Sequence, residues 1–239
     1  MDSFDILIVG SGHGGAHAAV ALRQHGFTGS IGMAAAEDEP AYQRPPLSKS
    51  YLTGDADRER ILLRPPAFWA EQGVAVLGGR RVDAVAPDRR IVVTGDGTPI
   101  GFGSLIWAAG STPRSLTCPG HELAGIHTLR SRADADAIMT ELPSVTRVLV
   151  VGGGYLGLEA AAAFIKRGRQ VTLVEPMERV LSRTCARPVS LLFEREHRRR
   201  RRHPRLAGGR RPDFTAGRVR HRRLRGPAQP VLGRRAGAT

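Results

Sequence analysis

Cysteine is scarce in this chain. Only Cys118 and Cys185 occur in 239 residues, far apart and in no C-x-x-C or metal-ligand spacing. That argues against a disulfide-stapled scaffold and a thiolate metal site, and leaves two ordinary reduced thiols. Long apolar runs are missing too. No segment approaches the ~18 residues of a membrane span, and the opening MDSFDILIVG has no basic n-region. No membrane association is expected, and a cytoplasmic location is the default. Acid is missing from one end. Residues 197–239 hold fifteen of the 36 basic residues and one acid, Asp213. The whole +14 charge therefore sits in that tail, while residues 1–196 are balanced. Taken whole, such a charge suggests a polyanion partner. Taken in parts, it marks a boundary near residue 197. The tail also lacks aromatics other than Phe214, so stacking recognition of nucleic acid is poorly supported.

What is present is one device written twice. Ile6 to Val9 is a short apolar run of the kind that forms a buried parallel strand. Gly10-x-Gly12-x-x-Gly15 follows, then an alanine-rich helical stretch that Gly26 can end. Gly10 permits the tight turn, Gly12 lets a diphosphate approach the backbone, and Gly15 lets the helix pack against the strand. The helix end then offers unbonded N–H groups to the phosphates. A single G-x-G-x-x-G is weak evidence. Here Val148 to Val151 leads into Gly152-x-Gly154-x-x-Gly157, a helix, Gly168 and a second strand ending at Glu175. The 142 residues between Gly10 and Gly152 are too many for a solenoid repeat, so each turn opens its own nucleotide-binding unit.

The acids refine this. Glu175, 18 residues beyond Gly157, suits a ribose 2′-hydroxyl and would repel a 2′-phosphate. No arginine stands beside it, which favours NAD over NADP. In the first unit Glu37 is the nearest candidate, 22 residues beyond Gly15, after a strand, SIGMAAAE, poor in β-branched residues. One unit for FAD and one for NAD make a flavin reductase.

Five stretches then occur in order: YQRPPLSKSYL (42–52), LRPPAFWAEQGV (63–74), LIWAAGSTPR (105–114), HTLRSRADADAI (127–138) and VVGGGYLGLEAAAAF (150–164). Together they closely resemble the NADH-dependent ferredoxin reductases of the putidaredoxin and rubredoxin reductase type, from about residue 4 to about 198. The resemblance implies FAD and NADH as cofactors. It implies an iron–sulfur ferredoxin or rubredoxin as partner, serving a P450 or a ring-hydroxylating dioxygenase. It implies that Gly10, Gly12, His13, Gly14 and Gly15 hold the FAD diphosphate, with Glu37, Ala109 and Gly110 also on the FAD side. Arg44 and Lys49 would approach the flavin, and Val82 and Arg130 match positions that touch FAD. Gly152, Gly154, Tyr155, Leu156 and Gly157 would hold NADH, and Glu175 and Arg183 would flank its adenosine. Lys49 and Glu159 would face each other where nicotinamide meets flavin. One departure stands out: the family places its first-unit acid directly after a glycine, where this chain has Ala35 and Ala36.

Plainer readings stand beside these. Arg44 and Lys49 could be solvated loop charges. Glu159 could be an ordinary helix carboxylate, although the apolar stretch after it favours a paired role. His13 is more simply a turn residue, and RSRADADAI could be merely a charged helix start. The mechanism implied needs no side-chain nucleophile. No cysteine pair is present to suggest a disulfide reductase, and no cysteine in 37–52 to suggest a peroxide-forming NADH oxidase.

The expected architecture is α/β: two Rossmann-like dinucleotide-binding units, FAD first and a partial NAD unit second, with a β-rich insertion, GVAVLGGRRVDAVAPDRRIVVTGDG (73–97), and an irregular basic tail. The boundaries are 1–110 for an incomplete FAD domain, 111–145 for a connecting segment, 146–197 for the partial NAD domain and 198–239 for a disordered tail. In the resembled family the helix around PVSLLFEREHR leads into a strand like Gly-Val-Asp-Ile-Arg. Here Arg200-Arg201-Arg202-His203-Pro204 stands instead. CGN arginine codons read one nucleotide later become GNC codons for Gly, Val, Asp or Ala. A frameshift near residue 198 in a GC-rich gene therefore accounts for the tail; nucleotide sequence lacking the family strand one base on would sink that reading. A basic nucleic-acid-binding arm on a non-catalytic remnant is the alternative. The resembled pattern continues for about as many residues again, so weak or absent flavin binding, poor solubility and little reductase turnover are expected.

Overall fold

The computed structural model describes residues 1–199. The tail expectations, from the frameshift to disorder or a nucleic-acid arm, concern residues outside this range. The first unit is a six-stranded sheet in the order β3-β2-β1-β6-β5-β4. β1 (Ser3–Val9) lies parallel between β2 (Ile31–Ala34) and β6 (Pro99–Trp107), and β3 (Val74–Leu77) extends the parallel edge. The Ile/Val/Leu content of β1 fits a strand covered on both faces. Successive residues point to opposite sides. Ile8 packs with Ala16 and Ala19 of α1 (His13–Gln24), and with Trp69 of α3 (Pro66–Glu71). Leu7 packs on the other face with Ala34, Val92 and Ile100. Leu7, Ile8, Ile31 and Met33 are all fully buried, each worth about 2 kcal/mol of transfer free energy.

The stretch expected as one β-rich insertion divides in two. Val74–Leu77 joins the parallel sheet through β2. Only β4 (Val82–Ala86) and β5 (Ile91–Thr94) form the antiparallel addition, attached through Pro99–Gly101 at the start of β6. β6 thus serves both parts: its first residues pair with β5, and from Gly101 onward it pairs with β1. Leu105–Trp107 end β6 in this sheet, and Ala108–Gly110 lie beyond it.

The second unit contains β7 (Arg147–Val151), α5 (Tyr155–Lys166) and β8 (Gln170–Val174), with β7 and β8 parallel. α6 (Arg187–Arg199) follows. Its core gathers Leu158, Ala161, Phe164, Val171, Leu173 and Leu181. Among the described residues only β8 pairs with β7, and Leu149 and Val151 are 62% and 53% exposed. That is an open strand edge with an uncovered apolar face.

The connecting segment does more than bridge. α4 (Arg132–Glu141) begins with a complete capping box: the Ser131 hydroxyl accepts from the Asp134 N–H, and the Asp134 carboxylate accepts from the Ser131 N–H. Its Ala135 packs with Tyr42, Leu47, Tyr51 and Ile61. Arg132 is 5% exposed and pairs with both Glu39 and Asp136. The short helix α2 (Ser50–Thr53) reaches the other way, placing Leu52 in the core of the second unit.

Two tyrosines record this packing. Burial, reinforced by the bond from the Tyr51 hydroxyl to Asp136 at 2.6 Å, pushes Tyr51 up to about 12. Burial and the bond to Glu37 push Tyr42 upward further. Both groups are neutral when folded and lose a proton more easily when unfolded. Their contribution is therefore intact below about pH 10. It falls away as pH climbs toward about 12. A spectrophotometric tyrosine titration with parallel circular dichroism should show Tyr42 and Tyr51 ionising only as the fold is lost. A full three-tyrosine transition centred near pH ~10 with the fold intact would contradict this packing.

Candidate nucleotide sites and the junction between them

The two glycine turns share a geometry. Gly10 has φ +107° and Gly152 φ +110°, a region open to glycine and strained for other residues. The N–H of Gly10 donates to Ala34 O, and that of Gly152 to Val174 O, each at 2.8 Å. A β-carbon on Gly15 would lie 1.8 Å from Gly10 O, and one on Gly157 would lie 2.0 Å from Gly152 O. These glycines close the turn against the helix. Gly12 and Gly154 are different. Each is the N-cap of its helix, and a β-carbon there would meet nothing within 4 Å. Neither α1 nor α5 has a side-chain cap or an acid in its first turn, in contrast to the fully capped α4. The first-turn N–H groups are thus left for an outside acceptor, in open space that glycine keeps clear. The residues present fit a diphosphate at both turns.

The remaining expected positions distribute as follows. His13 and Gly14 lie exposed in the first turn of α1, and the His13 ring stacks on His17 one turn later. Ala109 and Gly110 are exposed beyond β6, where the Ala108 carbonyl and Ala109 Cα crowd Gly10. Arg130 donates from Nε to Ser111 O, and its carbonyl accepts from Arg44. Val82 packs at the sheet core beside Leu7 and Val92. Glu37 accepts from two side chains: Oε1 takes Arg44 Nη2 at 2.6 Å, and Oε2 takes the Tyr42 hydroxyl at 2.5 Å. Tyr42 also accepts from Arg44 Nη1 and from the Arg132 N–H. Arg44 is therefore not a solvated loop charge.

In the second unit Glu175, directly after β8, accepts from the Gly153 N–H at 2.6 Å and the Met177 N–H at 2.9 Å, so it braces the turn. Tyr155 is half exposed, with its hydroxyl 3.2 Å from Cys185 Sγ, a contact that raises its pKa. Leu156 is exposed beside it, and Arg183 is exposed.

The two units meet at Lys49 and Glu159. Nζ of Lys49 lies 2.7 Å from Oε2 of Glu159, as the resemblance led one to expect. A third member was not foreseen: the Ser48 hydroxyl donates to the same Oε2 at 2.6 Å. Nothing in the sequence distinguishes Ser48 from other loop serines, and only its 1% exposure does. Lys166–Asp55 at 2.6 Å closes the far end of the same contact. The pair opens on a cleft of about 850 Å³ lined by residues of α2, α5 and α6. Cys118 is exposed and Cys185 lies in the second unit; neither joins the pair.

Residues 4–201 match the family described as pyridine nucleotide-disulphide oxidoreductase. The chain belongs to this family. The match stops inside the arginine run. A ferredoxin–NAD(P)(+) reductase of a Sphingomonas species is 50% identical over 197 residues, covering 82% of this chain and 48% of that protein. Putidaredoxin reductase of Pseudomonas putida is 38% identical over 197 residues, covering 81% of this chain and 47% of that protein. The reductase in a covalent putidaredoxin reductase–putidaredoxin complex aligns with a TM-score of 0.77 at 38% identity, over 83% of this chain and 48% of that one. The chain thus spans about half the length of the relatives it matches. Among the described residues no helix is long and apolar enough to cross a membrane.

Proposed function

We propose that this chain is the nucleotide-binding portion of an NADH-dependent ferredoxin reductase. One observation carries the reading: two uncapped glycine turns of the same geometry sit in one chain, with a lysine–glutamate pair joining their units. The names of the similar proteins support it. Residues 1–110 would hold FAD, 146–197 would begin the NADH unit, and 111–145 would join them. Gly10, Gly12, His13, Gly14 and Gly15 would lie at the FAD diphosphate. Arg44, Lys49, Val82, Ala109, Gly110 and Arg130 would lie along FAD, with Glu37 acting through Arg44. Gly152, Gly154, Tyr155, Leu156 and Gly157 would receive NADH, with Glu175 and Arg183 near its adenosine. When bound, FAD would take hydride from NADH and release electrons singly to an iron–sulfur ferredoxin or rubredoxin. The protein's own task is to hold, align and shield. The two free thiols fit a cytoplasmic location.

Titration of the purified chain with FAD, followed by anaerobic NADH, tests this. Weak but saturable binding and bleaching of the flavin absorbance by NADH are the expected results. No perturbation of the FAD spectrum at any concentration would overturn the reading. Glu175→Ala should weaken NADH about tenfold, equivalent to ~1.4 kcal/mol, and narrow the preference over NADPH, as read by quenching of nucleotide fluorescence. The loss has two sources: the missing ribose acceptor and the loosened Gly153 N–H.

A further inference from the structure

We propose that Ser48 is the positioning residue of the Lys49–Glu159 pair, fixing the Glu159 carboxylate so that the pair presents one defined face to the cofactors. This rests on the reading that the pair lies where nicotinamide meets flavin. The side chains of Ser48 and Lys49 are consecutive in sequence yet converge on a single oxygen. They do so because the chain breaks between the 3₁₀ turn Pro45–Ser48 and α2, with Lys49 at φ −125° and ψ −111°. Oε2 of Glu159 receives the Ser48 hydroxyl at 2.6 Å and Lys49 Nζ at 2.7 Å. Among the described residues, Oε1 receives no donor. Nζ of Lys49 donates to Pro45 O at 3.3 Å and meets Glu159 as an ion pair. One oxygen of Glu159 is therefore left for an occupant.

Exposure shows why the hydroxyl matters. The Lys49 and Glu159 side chains are 50% and 30% exposed. Such a pair, alone, holds its geometry weakly and samples several rotamers. Ser48, at 1% exposure, has no such freedom: its hydroxyl has only the Pro45 carbonyl, at 3.4 Å, as a second and longer acceptor, and a buried donor is costly to leave unmade. It therefore anchors the carboxylate, and the anchored carboxylate anchors the amine.

The composition supplies an unusually clean test. The chain has only two lysines, Lys49 and Lys166. Both pair across the same junction, each with an acid of the opposite unit. Acetylation by an N-hydroxysuccinimide ester, followed by peptide mass spectrometry, reads them side by side in the full chain. Ser48→Ala should raise the rate at Lys49 roughly threefold, as expected for losing one modest hydrogen bond. Lys166 should be unchanged, and Ser48→Thr, which keeps the hydroxyl, should restore the Lys49 rate. Glu159→Gln sets the upper limit for Lys49. An unchanged Lys49 rate in Ser48→Ala would overturn the proposal, as would both lysines rising together, which marks general loosening of the junction. Added FAD separates the two claims. Protection of Lys49 in the unmodified chain supports the flavin reading. No protection overturns that reading, while the Lys49-to-Lys166 ratio still decides the role of Ser48.

Discussion

A Gly15→Ala chain is expected to lose about 3 kcal/mol of stability or more, whereas Gly12→Ala, three residues earlier, should change stability by under about 1 kcal/mol. The contrast follows from where a methyl group would go. At Gly15 it would lie 1.8 Å from the carbonyl oxygen of Gly10, a backbone atom held by the turn, so the helix must move off the sheet. At Gly12 it meets nothing within 4 Å. Its cost is limited to replacing glycine by a poorer N-cap residue. The order reverses for FAD. The methyl at Gly12 occupies the open space left for the diphosphate, and affinity should fall at least about tenfold. Thermal unfolding and FAD titration of the two variants, side by side, check both halves. Gly157→Ala and Gly154→Ala should repeat the pattern in the second unit, with NADH as the ligand. Equal stability losses at Gly12 and Gly15 would show that the open space at Gly12 is not real.

The second large effect is at Arg132. Its guanidinium is 5% exposed and joins Glu39 to Asp136, while its backbone N–H donates to the Tyr42 hydroxyl. Cutting a buried pair costs about 3–5 kcal/mol when the orphaned charge is fully buried. Glu39 and Asp136 keep about a third of their surface in water, so a loss of about 2–3 kcal/mol is expected for Arg132→Ala. Arg80→Ala is the control. Its pair with Asp96 lies at the surface, 40% and 55% exposed, and should contribute less than about 1 kcal/mol. Urea unfolding of both variants measures the difference.

These cases mark how far the sequence could be read. Gly10, Gly15, Gly152 and Gly157 were legible because their requirement is local: the same few residues create the turn and suffer the clash. The strand and helix beside each turn were legible for the same reason. The Lys49–Glu159 contact came only from the resemblance, since 110 residues separate its partners. Ser48 was invisible, because a serine inside a proline-bounded loop looks the same whether it faces water or a carboxylate. Glu37 was picked out as the nearest acid after its strand, but its attachment to Arg44 and Tyr42 was not.

By itself, the sequence determined the two strand–turn–helix units, their glycine geometry and the charge boundary near residue 197. Each depends on neighbours a few residues apart or on composition. Only the tertiary structure decided that β3 joins the parallel sheet, that β6 serves two neighbours, and that α4 clamps the loop carrying Arg44. It also decided that Ser48 and Lys49 share one oxygen of Glu159. Those outcomes depend on which distant surfaces exclude water together, and hydrophobic pattern along a chain specifies burial without naming the partner.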